Sequence, residues 1–68
     1  MDTVTGYDGT VIAERDRVEL HPGSDLWMRG ARYGTVECIN IATQHVRVMV
    51  DRLHGRARYF HATRLRRI

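Results

Sequence analysis

Val46, Val48 and Val50 fall at every second position between His45 and Asp51, a period of two that confines this segment to a β-strand with one apolar face. A strand of this kind needs partners, and the flanking residues name one. Asp51-Arg52-Leu53-His54-Gly55 supplies a hairpin loop, and Arg56 to Phe60 forms the returning strand. Charge sets the expected parity of that return. Arg56 and Arg58 on the valine face would bury two cations in a very small core, so Ala57 and Tyr59 are expected to face inward. His45, Arg47, Met49, Arg56 and Arg58 then share the outer face, and Phe60 needs a bulge or a strand end to turn in.

Upstream, apolar and charged residues alternate from Asp16 to Leu20, which predicts a strand with Val18 and Leu20 inward. His21-Pro22-Gly23-Ser24-Asp25 ends it, because proline lacks the amide donor and glycine and serine favour turns. A long loop follows. Arg29-Gly30-Ala31-Arg32-Tyr33-Gly34-Thr35-Val36 holds two glycines four apart before a threonine and a valine. This spacing predicts a tight turn feeding a strand over 35–39, with Val36 and Cys38 toward the core and with Gly30 and Gly34 supplying positive φ. Leu65 to Ile68 is a last short strand after a turn at His61-Ala62-Thr63-Arg64. No stretch combines an amphipathic period with helix start and stop signals, so no long helix is expected.

Sixty-eight residues suffice for one small domain and leave little chain for a deep active-site cleft. With a single cysteine, Cys38, no intramolecular disulfide forms, and the absence of a cysteine framework favours a reducing compartment, with the cytoplasm as the expected location. No apolar run approaches the ~20 residues needed to span a bilayer, and Met1-Asp2-Thr3-Val4-Thr5-Gly6 is neither basic nor apolar enough for a signal peptide. No membrane association is expected. Residues 1–13 read as a flexible N-terminal arm or a short edge pairing, and residues 14–68 as the folded unit.

Short strands with one long early loop describe an all-β fold: a strongly bent antiparallel sheet of about five strands closed into a small barrel, which removes exposed sheet edges. The pattern resembles SH3-like barrels of the KOW type, whose first strand, glycine-bearing loop and second strand align with Asp16-Arg17-Val18-Glu19-Leu20 and Gly30-Ala31-Arg32-Tyr33-Gly34-Thr35-Val36. It is also similar, through Leu20-His21-Pro22, Asp25, Trp27-Met28, Gly30, Gly34 and Val36, to short SH3-like proteins of bacteriophages and bacteria. A peripheral subunit of photosystem I has a similar layout. The resemblance implies a fold and either nucleic-acid contact or protein docking; it implies no catalytic activity.

Charge distribution decides between these expectations. Residues 1–28 carry Asp2, Asp8, Glu14, Asp16, Glu19 and Asp25 against Arg15 and Arg17, whereas residues 29–68 carry nine arginines against Glu37 and Asp51. A GC-rich genome would also replace lysine by arginine throughout, so the weight rests on the asymmetry. Arg47, Arg56 and Arg58 on neighbouring strands would repel one another unless an anion lies between them. Arg29 and Arg32, with Tyr33 between them and Gly34, add guanidinium groups and a stacking ring of the kind that single-stranded nucleic acid uses. The expected partner is therefore DNA or RNA, bound through Arg29, Arg32, Tyr33, Arg47, Arg56 and Arg58 with little sequence preference. The competing expectation is a docking or structural accessory subunit, with Leu26-Trp27-Met28 as an apolar anchor for a protein partner, or a cluster that covers one end of the core. Self-association into a small homo-oligomer is a third. The acidic N-terminal half is placed to compete with phosphate for the arginines.

Other chemistries are poorly served. His21, His45, His54, His61 and Cys38 show no C-x-x-C or H-x-x-x-H spacing, although His45 and His61 approach across the hairpin, so no metal or cofactor is expected. A phosphate contact through His45 or His54 has no support beyond their position. No phosphate-cradling loop, nucleophile elbow or placed carboxylate pair is present, and no residue is nominated as catalytic.

Overall fold

The computed structural model describes residues 2–52 and 56–68. The chain forms a small, mostly β structure: a five-stranded antiparallel sheet, a separate two-stranded hairpin and one short helix. The strands are β1 (Thr3–Thr5), β2 (Val11–Ala13), β3 (Arg17–Leu20), β4 (Tyr33–Asn40), β5 (His45–Val50), β6 (Ala57–His61) and β7 (Leu65–Arg67). Helix α1 (Asp25–Met28) interrupts the long loop, and a 3-10 turn (Ala62–Arg64) precedes β7. In the large sheet the order is β6-β5-β4-β3-β7, so the last strand returns to the first of the five. Strands β6 and β7 are the two ends of that order and do not pair with each other among the described residues, so the closed barrel expected from the sequence is not formed by strand pairing. No helix among the described residues is long and apolar enough to cross a membrane.

One core covers one face of the five-stranded sheet. Val18, Leu20, Val36, Ile39, Val46, Val48, Val50 and Leu65 are buried together with Ala31 and Ala62, and Leu26, Trp27 and Phe60 pack against them. The valine alternation in β5 is borne out residue by residue: Val46, Val48 and Val50 are buried while His45 and Arg47 are exposed.

Four local expectations need correction. Residues 3–13 are not an arm outside the fold. They form the β1–β2 hairpin, where Val4 sits directly opposite Ile12, and both side chains are buried in the core. The hairpin is tied to β7 by the Tyr7 N–H donating to the Leu65 carbonyl (2.9 Å) and the Arg67 N–H donating to the Thr10 hydroxyl (3.0 Å). Two inward residues are too few for a periodicity argument to detect.

Cys38 points outward rather than toward the core. The β4–β5 register shifts between Val36 and Cys38, so Val36 pairs with Val48 but Cys38 pairs with Arg47. This bulge moves the inward parity from even to odd positions and delivers Ile39 to the core instead.

The parity of β6 is the reverse of that argued from charge. Arg47 lies opposite Tyr59 and Val48 opposite Arg58, while Val46 lies opposite Phe60. Tyr59 therefore faces out, 66% exposed, and Phe60 turns in without any bulge. The charge argument fails because β6 is an edge strand: Arg58 stands on the core side of the sheet yet stays exposed at its margin. Keeping a guanidinium wet at an edge costs little, whereas burying Phe60 is worth up to about 1.5–3 kcal/mol.

Gly34 is the fourth case. It lies within β4 and is not among the positive-φ glycines; a Cβ there would come within 2.5 Å of the Val48 side chain and 2.7 Å of the Met49 carbonyl oxygen. Its role is close approach of two strands. Gly30 does adopt φ +90° and ends α1, with its N–H donating to the Trp27 carbonyl and the Ala31 N–H to the Leu26 carbonyl.

Candidate nucleic-acid interface

The exposed face of the β5–β6 hairpin is built by paired residues. Hydrogen bonding of the Ala62 N–H to the Gln44 carbonyl (2.8 Å) makes 44/62 a hydrogen-bonded pair. By alternation the Arg47–Tyr59 and His45–His61 pairs are non-hydrogen-bonded, the geometry that brings side chains closest. Accordingly the Arg47 guanidinium lies 5.9 Å from the Tyr59 ring centroid, and the imidazoles of His45 and His61 meet edge to face at 5.4 Å. Met49 and Ala57 continue the row toward the hairpin loop. Leu53, His54 and Gly55 of that loop lie outside the described residues.

The six arginine and tyrosine residues singled out from the sequence do not share one surface. Arg47 is on the outer face; Arg58 is on the opposite face of β6; Arg56 precedes β6 and is exposed. Arg29 caps the C-terminal end of α1, and Arg32 follows Gly30 and Ala31. Tyr33, 41% exposed, opens β4 opposite Glu19. The Arg32 guanidinium sits 4.8 Å above the Trp27 ring. Trp27 and Leu26 pack against the core, while Met28 is 82% exposed. Ser24 starts α1 by accepting the Trp27 N–H at its Oγ (3.2 Å). Gly23, Ser24, Asp25, Phe60 and Arg64 line an open cleft of about 300 Å³ between the start of α1 and β6.

Ion pairing separates the arginines into two groups. Arg17 grips Asp51 through two contacts (2.6 and 2.9 Å), Arg66 bonds Glu19 (2.6 Å), Arg47 pairs with Glu37 (3.1 Å), and Arg67 lies 3.9 Å from Asp16. The Arg17 hydrogen bonds hold the Asp51 carboxyl below its ordinary range, and Asp51 in turn raises the pKa of Arg17. The Thr10 hydroxyl bond lowers Asp8 in the same way. Part of the acidic N-terminal half thus neutralises β7 rather than β6. Among the described residues Arg15, Arg29, Arg32, Arg52, Arg56, Arg58 and Arg64 form no ion pair with a carboxylate.

Tyr59 is the functional candidate that sequence parity placed wrongly. The available signal was chemical: of the adjacent aromatics Tyr59 and Phe60, the one bearing a hydroxyl is better suited to water. No family model, curated protein or solved structure matches the chain.

Proposed function

We propose that the protein is a non-enzymatic SH3-like module that binds single-stranded nucleic acid along the β5–β6 edge, with little sequence preference. The return of β7 to β3 and the single enclosed core support the SH3-like reading. The observation that carries the function is the juxtaposition of an exposed ring with uncompensated cations. Arg56 and Arg58, neither in an ion pair with a carboxylate among the described residues, come just before the exposed Tyr59 in the chain, at the free edge of the sheet, whereas Arg66 and Arg67 lie on β7 at the other end of it and are paired with Glu19 and Asp16.

In this reading Tyr59 stacks on a base, a contact worth about 1–3 kcal/mol and tolerant of base identity. Arg56 and Arg58 take phosphates. Arg47 flanks the ring; its pairing with Glu37 is half exposed, so exchanging that carboxylate for a phosphate costs little. Arg29, Arg32 and Tyr33 form a second cationic patch at the end of α1. Fluorescence anisotropy with short single-stranded oligonucleotides tests the assignment. Tyr59→Ala should weaken binding roughly tenfold or more, and Arg58→Gln should lower the salt slope by about 0.7. Wild-type affinity and slope in both variants would refute it.

Docking to a protein partner is a second reading, favoured by Met28. Because Leu26 and Trp27 pack against the core, the exposed apolar anchor reduces to this one side chain. Met28→Lys abolishing a pull-down while leaving oligonucleotide binding intact would support it.

A further inference from the structure

We propose that His45 and His61 form a two-histidine site for a borderline divalent transition metal on the exposed face of the β5–β6 hairpin. The argument begins with register. His45 lies directly opposite His61 in a non-hydrogen-bonded pair, where cross-strand side chains approach most closely, and the rings stand 5.4 Å apart between centroids at 88°. Neither histidine is buried, so a metal can enter from solvent and keep water in its remaining positions.

The second step concerns which nitrogen is available. His45 Nδ1 lies 3.1 Å from the Thr43 carbonyl oxygen, which can only accept; Nδ1 therefore carries the proton and the Nε2 lone pair is left over. His61 Nδ1 lies 2.9 Å from the Thr63 hydroxyl and 3.3 Å from the Thr63 N–H. The hydroxyl is donor or acceptor by rotation. With the proton on Nδ1 it accepts, the longer contact to the N–H is given up, and the Nε2 lone pair of His61 is released as well. Neither Nε2 has a hydrogen-bond partner among the described residues. The His45 ring thus has the arrangement typical of metal-bound histidine, the far nitrogen donating to an oxygen that fixes ring orientation and tautomer, and the His61 ring reaches the same arrangement by exchanging its acceptance of the Thr63 N–H for donation to the Thr63 hydroxyl.

The chemistry of two neutral imidazoles selects the metal class. Imidazole suits zinc, nickel and copper(II), with copper(II) held most tightly, and is a poor ligand set for calcium or magnesium. Arg47 is the nearest cation along β5 on this face, and its pairing with Glu37 reduces the repulsion it would exert. No group of three or more histidine, cysteine, aspartate or glutamate residues is placed to hold a metal among the described residues, and the proposed site has two protein ligands.

The test is a titration of the full chain with Ni²⁺ followed by ¹H–¹⁵N NMR, nickel being chosen because it does not oxidise the exposed Cys38 thiol. The site predicts one equivalent bound, with paramagnetic broadening centred on residues 44–46 and 60–62. His45→Asn and His61→Asn should each weaken binding by at least about tenfold, since losing a ligand costs no less than losing its outer-shell partner. Asparagine at 61 can still accept the Thr63 N–H and so keeps the start of the 3-10 turn. His21→Asn should leave the affinity unchanged. Broadening centred elsewhere, or affinity unaltered by either hairpin substitution on a folded spectrum, would overturn the proposal.

Discussion

Phe60→Ala and Tyr59→Ala, made separately and unfolded in urea, decide which face of β6 meets the core. Phe60 is half-buried, lies opposite the fully buried Val46 and packs against the core cluster. A completely buried phenylalanine replaced by alanine loses about 3–5 kcal/mol, so a half-buried one should lose about 2 kcal/mol. In a domain of this size that corresponds to a fall in Tm of about 8–16 °C. Tyr59 is 66% exposed and its ring contact is with Arg47, 5.9 Å away. Its removal forfeits one cross-strand pair and a weak cation–π contact, together about 1 kcal/mol or less. The predicted order is therefore Phe60→Ala well below Tyr59→Ala in stability, with equal m-values. A Tyr59→Ala variant less stable than Phe60→Ala would restore the opposite register and refute the placement of the ring on the surface.

Gly34→Ala should destabilise by about 1–3 kcal/mol or more, because the added methyl meets the Val48 side chain and the Met49 carbonyl between paired strands, where neither can move freely; chemical denaturation measures it. The Asp51–Arg17 pair sets part of the acid limb of stability. Since the folded-state pKa of Asp51 is depressed below 3.8, its contribution is complete above the unfolded value and is lost as pH falls through the folded one. Asp51→Asn should thus be less stable at neutral pH, by less than about 1 kcal/mol because both side chains are half exposed, and should match wild type at the acid end of a pH series. Cys38 should react with a thiol reagent in the native state at nearly the rate of an unfolded control, since the bulge in β4 turns it to solvent; strong protection would contradict the shifted register.

The strands rich in β-branched residues were legible in the sequence because their alternation is unbroken. Val46, Val48 and Val50 leave one solution, and Val18 with Leu20 leaves another. Where the structure inserts one residue, as between Val36 and Cys38, alternation predicts the wrong side for everything beyond the bulge. The N-terminal segment reads from the sequence only as a flexible arm or a short edge pairing, because Val4 and Ile12 owe their burial to a long-range contact with the rest of the core, not to a local pattern. For β6 the sequence did hold the answer, but two competing terms had to be weighed. Arg58 argued against the observed face and Phe60 for it, and an edge position, which the sequence does not reveal, makes the arginine's objection weak. The site suffered accordingly. Sequence parity places Arg47 and Arg56 at the surface, points to Tyr33 and Trp27 for the stacking ring, and turns Tyr59 to the interior. The approach of His45 to His61 was legible from hairpin pairing alone; the tautomers that free both Nε2 atoms depend on Thr43 and Thr63 and needed coordinates.

The most direct test of the proposed interface is a backbone amide NMR titration with a short single-stranded DNA or RNA, repeated at two salt concentrations. The account predicts salt-sensitive shifts concentrated at residues 45–49 and 56–61, with Tyr59 among the largest. A well-dispersed spectrum that stays unchanged at low salt, or shifts confined to residues 26–30 around Met28, would contradict it.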